Sequence, residues 1–208
     1  MIAADVRAYV RANLPAPPAR VLEVGAGEGD LARALRAAGY DVVAIDPDPR
    51  GDGVEAVALH ELDAAPGSFD AAVAVVALHH VEPLAESVRR LAEILRPGAP
   101  LIVDELDCAA YDERAAAWWS AQRRALGLAV DETHEELVAK LRHHVHPLAA
   151  IVTALDGECF ASGAALRGPY LYRWYLNESL RGAEEDLIAR GELPAVGARF
   201  IARARPPR

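Results

Sequence analysis

The sequence predicts an α/β fold, a doubly wound and mostly parallel sheet, built as one domain over residues 1–208. Three observations predict it. Short apolar runs recur at RVLEV (20–24), DVVAID (41–46), FDAAVAVVAL (69–78) and LIVDEL (101–106). Amphipathic segments at helical spacing lie between them, and strand–helix alternation is the pattern of a parallel sheet with helices on both faces. A glycine-rich turn, GAGEGD (25–30), joins the first run to the first of those helices.

Each element has its own reason. Ile2, Val6, Val10 and Leu14 lie four apart, a helical stripe that three prolines in LPAPPAR then stop. Residues 1–18 are therefore an N-terminal helix and linker. The helix at 29–38 has Asp30 as its cap and Gly39 at its end. VEAVAL (54–59) reads as a third strand. Pro83 suits the first turn of a helix that carries Leu84, Val88, Leu91 and Leu95, and RPGAP ends it. Helices are expected at 112–127, 132–142 and 146–156. Residues 109–157 thus form a helical insert over the strand ends, where such sheets bind ligands. FASGAALRG and AVGARFIARA flank a helix at 182–190 and complete the sheet.

Composition narrows the function. A net charge of −9 argues against a nucleic-acid partner. The longest apolar run, AAVAVVAL, is too short to span a bilayer, and the N-terminus has no signal-peptide core. Cys108 and Cys159 fit no metal spacing and read as thiols of a reducing compartment. The expectation is a cytoplasmic protein with a small-molecule substrate, no metal, and an oligomeric state that the sequence leaves open.

The glycine turn frees helix N-terminal N–H groups and allows close approach of a ligand. Its spacing is G-x-G-x-G, and no Gly-Lys-Ser/Thr follows, which excludes a Walker loop. Asp46 ends the second strand, where an acidic residue accepts ribose hydroxyls; that suits NAD and S-adenosylmethionine (SAM) alike. Asp30 disfavours a pyrophosphate at the helix start. Glu23, at the end of the first strand, suits the amino group of a methionine moiety.

VLEVGAGEGD, AIDPD, GSFDAAVAVVALHHV and ILRPGAPLIVDE, in that order over residues 20–106, resemble the class I SAM-dependent methyltransferases of the small-molecule branch. The later segment resembles actinobacterial-type members, with Val145 as a departure. The resemblance implies a Rossmann-like sheet of seven strands with the last antiparallel. It also implies that Gly25, Ala26 and Gly27 lie against the methionine part of SAM, that Asp46 holds the ribose and Pro47 sits near the adenine. Glu61 is the candidate contact for the adenine amine, and the carbonyl of Ala77 the candidate partner of the methionine amine. The reaction implied is methyl transfer to an oxygen or nitrogen of a small molecule, giving S-adenosylhomocysteine.

Such an acceptor loses a proton, and histidine is the natural base near pH 7. His80 and His146 are the catalytic candidates. His79, Trp118, His143, Tyr170 and Tyr172 are candidates for the substrate pocket. Of the histidines in LRHHVHP, only His143 and His146 share a helical face, so the cluster is not read as a metal site. Arg173 reads as a surface ion pair. The insert and the N-terminal helix are expected to lid the site. Three other readings stay open at this point: an NAD(P)-dependent oxidoreductase, a non-catalytic SAM-binding protein, and a SAM-assisted cyclase.

Overall fold

The computed structural model describes residues 2–157 and 159–206, with the side chains of 142–144 outside the description. Its sheet has the order β3-β2-β1-β4-β5-β8-β6, with β7 also paired to β8. The strands are β1 (Arg20–Val24), β2 (Asp41–Asp46), β3 (Glu55–Ala56), β4 (Ala71–Val75), β5 (Pro100–Leu106), β6 (Phe160–Ser162), β7 (Leu166–Gly168) and β8 (Gly197–Ala204). The helices are α1 (Ala4–Asn13), α2 (Asp30–Ala37), α3 (Leu84–Ile94), α4 (Glu113–Ala125), α5 (His134–His144), α6 (Leu148–Asp156) and α7 (Arg181–Ala189).

The central strands are parallel and covered on both faces, which is why their sequences are continuous apolar runs without alternation. Leu22 and Val24 of β1 join Leu91, Ile94, Ile151 and Leu155 on one face. Val21 points the opposite way, to Val10, Leu31 and Leu35. β8, the last strand in the chain, runs antiparallel to β5, as the resemblance implies. The chain winds outward in both directions from β1 and β4. The crevice at their carboxyl ends is therefore the topological switch point, where ligands of open α/β sheets bind.

Several expectations are corrected. The third strand shrinks to two residues, because β3 is an edge with only β2 to pair. FASGAALRG is two strands: β6 pairs the end of β8 and β7 its beginning, with a break at 163–165. The sheet thus has eight strands by count. The fourth strand stops at Val75, since Val76 takes a φ of 53° and turns the chain. Pro83 stands just before α3, not inside its first turn. Asp30 is the first residue of α2; its cap is Gly29, in the left-handed region, and Asp30 instead pairs with Arg33.

The lid also differs. α1 lies on the sheet, with Val6 and Val10 buried. α6 does likewise through Leu148, Ile151 and Leu155. Of the elements expected in the lid, α4, α5 and the connections beside them are the ones that face the crevice among the described residues.

Candidate functional site

The glycine turn takes φ values of 70°, 52° and 69° at Gly25, Gly27 and Gly29, a region that side chains with a Cβ rarely enter. At Gly25 there is a second constraint: a Cβ would stand 2.5 Å from the Cβ of Ala77. The β1 and β4 loops therefore approach this closely because position 25 carries no side chain against Ala77. Asp46 ties the turn to the β2 loop. One carboxylate oxygen accepts the N–H of Gly27 at 2.9 Å, and the other accepts that of Asp48 at 2.9 Å.

Two cavities open on this crevice. The smaller, about 370 Å³, runs between Asp46, Pro47 and the segment Val57–Leu59, with Ala77 on its floor. The larger, about 880 Å³, is walled by Trp119, Trp174, Tyr170 and Tyr175 and by residues of α5. Gly25, Asp46, Val76 and His80 line both, so the two cavities meet there.

The turn after β4 is shaped by a buried acid. Glu105 accepts the N–H groups of Ala77 (2.8 Å) and Leu78 (2.6 Å) on one oxygen and lies 2.7 Å from His79 Nδ1 on the other. This fixes His79 on the inner wall of the larger cavity and leaves His80 at the junction. Burial, with the neighbouring rings of His79 and His146, holds the His80 imidazole below its usual value, against a smaller opposing pull from Glu105. His80 is thus a neutral ring near pH 7.

The aromatic wall is anchored from behind. Glu184 is fully buried and accepts the N–H groups of Tyr170, Leu171 and Tyr172 within 2.9 Å. Burial pushes its carboxyl up, against those three bonds. Trp119 and Trp174 stack at 4.8 Å, and the Trp119 indole N–H donates to the Trp174 carbonyl.

The sequence candidates fall into two groups. Gly25, Gly27, Asp46, Pro47, Ala77, His79, His80 and Tyr170 line one or both cavities. The others do not. Glu23 is buried beneath the start of α2, and burial pushes its carboxyl up to about 8. Ala26 packs into the core on the α2 side. Glu61 is exposed, and Val57–Leu59 take the wall expected of it. The Ala77 carbonyl accepts the N–H of His80. His146 lines neither cavity itself; it engages Glu82, 2.8 Å from its carboxylate, at the rim of the smaller one. Trp118 is replaced in the wall by Trp119, since successive helical residues point about 100° apart. Tyr172 is buried against α1 and donates to Asp5 at 2.6 Å. The His143 side chain lies outside the described residues. Arg173 is an interior ion pair with Asp104, not a surface one.

Glu105 and Arg123 carry no site role in the sequence reading, and Trp119 and Trp174 are not singled out from the aromatic-rich second half, one or two of whose rings are expected to wall a pocket. For Glu105 a signal was present, because an acidic residue inside the apolar strand LIVDEL needs partners.

The fold and the crevice define a class I SAM-dependent methyltransferase. A family model for the methyltransferase domain matches residues 2–135, and the chain belongs to that family. A ubiquinone biosynthesis O-methyltransferase of Xanthomonas campestris is 37% identical over 117 residues, covering 48% of this chain and 48% of that protein. An uncharacterized methyltransferase of Mycobacterium tuberculosis is 40% identical over 98 residues, 42% of this chain and 40% of that one. The chain spans about half the length of these curated relatives. Among solved structures, a SAM-dependent methyltransferase from Mesorhizobium loti shares the fold with a TM-score of 0.61 at 20% identity, over 97% of this chain and 98% of that one. A Burkholderia thailandensis 1,6-didemethyltoxoflavin-N1-methyltransferase, solved with S-adenosylhomocysteine, aligns at 0.57 and 17% identity, over 98% of this chain and 78% of that one.

Proposed function

We propose that this protein transfers a methyl group from SAM to an oxygen or nitrogen of a small molecule. The observation that carries the reading is the meeting of two cavities at Gly25, Asp46, Val76 and His80. One cavity is a narrow slot with an acid at its mouth, and the other is wide and aromatic. The residues fit the cofactor. Gly25, with no side chain of its own, presents backbone to both cavities, and Asp46 keeps acceptor capacity beyond its two backbone bonds. Val57–Leu59 and Pro47 offer an apolar slot for a flat base.

When bound, SAM supplies a methyl group already activated on its sulfonium sulfur. The chain's own task is positioning and proton handling. Asp46 and the glycine turn hold the cofactor side. The aromatic wall orients the acceptor and excludes water. The neutral imidazole of His80 takes the proton that an oxygen or nitrogen acceptor releases, and Glu105 keeps the His79–His80 turn in place. His79 has its Nδ1 committed to Glu105, so His80 is the better-placed base.

Calorimetric titration with SAM, S-adenosylhomocysteine and NADH tests the cofactor reading. Micromolar binding of the first two and none of NADH is expected. Asp46→Ala should weaken SAM by at least about tenfold, since a charge-assisted hydrogen bond contributes ~1.5–3 kcal/mol. NADH binding alone would overturn the reading.

A further inference from the structure

The wide cavity carries a charge that the cofactor does not need. Arg123 reaches it from α4, with its guanidinium 4.8 Å above the Trp119 ring. Its Nε donates to the Ala129 carbonyl at 2.9 Å and its Nη1 reaches the Tyr175 carbonyl at 3.5 Å. These contacts hold the group in place without neutralising it. Among the described residues no carboxylate pairs with it.

The other two cations among the described residues of the cavity differ. Lys140 is paired with Glu132 at 2.9 Å. Arg50 stands at the glycine-turn end, on a cavity wall shared with Glu28, Asp46 and Asp48. Among the described residues the aromatic end therefore has one uncompensated positive charge, mounted on an indole face. Next to it Tyr175 is 74% exposed and holds a φ of 55°, a backbone conformation that costs on the order of 1–3 kcal/mol. The aromatic wall thus includes a residue held in strain at the cavity mouth. An aromatic wall alone also suits a cationic ligand. Here the Trp119 face is already taken by a guanidinium, so a ligand cation would meet like charge.

We propose that the acceptor is a planar aromatic ring carrying a carboxylate, with the ring along the Trp119–Trp174 wall and the carboxylate on Arg123. This rests on the reading of the wide cavity as the acceptor site. Arg123 is a specificity residue in this scheme. A guanidinium offers a carboxylate two parallel N–H donors, a geometry that a neutral amide cannot match.

The test uses the full chain saturated with S-adenosylhomocysteine, whose binding is measured first. Benzoate, 4-hydroxybenzoate, 2-naphthoate and indole-3-carboxylate are titrated beside their primary amides, with benzyltrimethylammonium as the cationic arm. Quenching of tryptophan fluorescence reads binding, because two of the three tryptophans form the wall. At least one acid should bind about tenfold or more tightly than its amide. Arg123→Gln should close that gap and Arg123→Lys should keep part of it, both with unchanged S-adenosylhomocysteine affinity, which also reports folding. Three results would overturn the proposal: no acid binding below about 1 mM, amides or the ammonium binding as well as the acids, or a gap that survives in Arg123→Gln. Failure of S-adenosylhomocysteine to bind wild type would instead overturn the methyltransferase reading.

Discussion

In the proposed reaction His80 takes the acceptor's proton, and its environment sets a pH signature. Burial, together with the His79 and His146 rings, lowers its pKa from the ordinary 6.5. A lowered value means that the imidazole remains neutral, and able to accept a proton, below pH 6.5. The acidic limb of kcat/KM against pH should therefore lie beneath the value of a free histidine. Removing the base should cost about 10²-fold in rate. His80→Gln is thus expected to lower kcat by that order at pH 7.5 and to abolish the acidic limb. An unchanged profile in the variant would assign the proton to another group. His146, the other candidate, engages Glu82 at the rim of the smaller cavity, so its substitution should keep the acidic limb and move it slightly toward higher pH, as one ring that lowers the His80 pKa is lost.

At the scale of elements, the turn from Tyr170 to Arg173 shows how the aromatic wall depends on one distant carboxylate. Glu184 belongs to α7, yet it satisfies three successive backbone N–H groups of that turn. Unpartnered buried donors cost ~1–3 kcal/mol each, and the losses are not additive. Glu184→Ala should thus destabilise the protein by about 2–4 kcal/mol, read as a drop in Tm. Acceptor binding should fall more than cofactor binding, since Tyr170 lines only the wide cavity. Glu184→Gln keeps one acceptor oxygen and should recover part of both. Equal Tm values for all three proteins would remove the turn from the wall's support. The same turn marks the limit of sequence reading. The β1, β2, β4 and β5 strands and the α2 turn were legible because buried parallel strands write themselves as apolar runs and positive φ writes itself as glycine. So were Gly25, Gly27, Asp46 and His80, which local geometry places at strand ends. The wall was not. Whether Trp118 or Trp119 faces the cavity depends on the rotation of α4, and Tyr172 turns inward because Asp5, 167 residues away, accepts its hydroxyl. Those facts belong to tertiary packing, which no local pattern records.

For the whole molecule, the sheet is held by charges as well as by its core. Asp104 of β5 receives Arg173 and Arg199, and Arg199 reaches on to Asp5 of α1 at 2.6 Å. These acids are paired. Glu23 is different: it is 4% exposed, and its Oε2 has no hydrogen-bond partner among the described residues. Burial raises its carboxyl from 4.5 to about 8, with Arg36 the largest force in the other direction. The sign follows from proton linkage. In the unfolded chain the group ionises near 4.5, whereas the native state keeps its proton until about 8. Below the first value both states are protonated and the group imposes no penalty. Between the two, the native state binds the extra proton, so stability falls as pH rises, at ~1.4 kcal/mol per pH unit. Above about 8 the penalty is complete. Wild-type Tm should therefore decline from pH 5 toward pH 8 by more than the remaining carboxylates account for. Glu23→Gln carries no charge in either state and should flatten that decline, with its advantage over wild type largest at alkaline pH. Calorimetric melting of both proteins from pH 5 to 9 checks this. Parallel curves would show that Glu23 is ionised in the native state, with the α2 N-terminus and Arg36 compensating its charge.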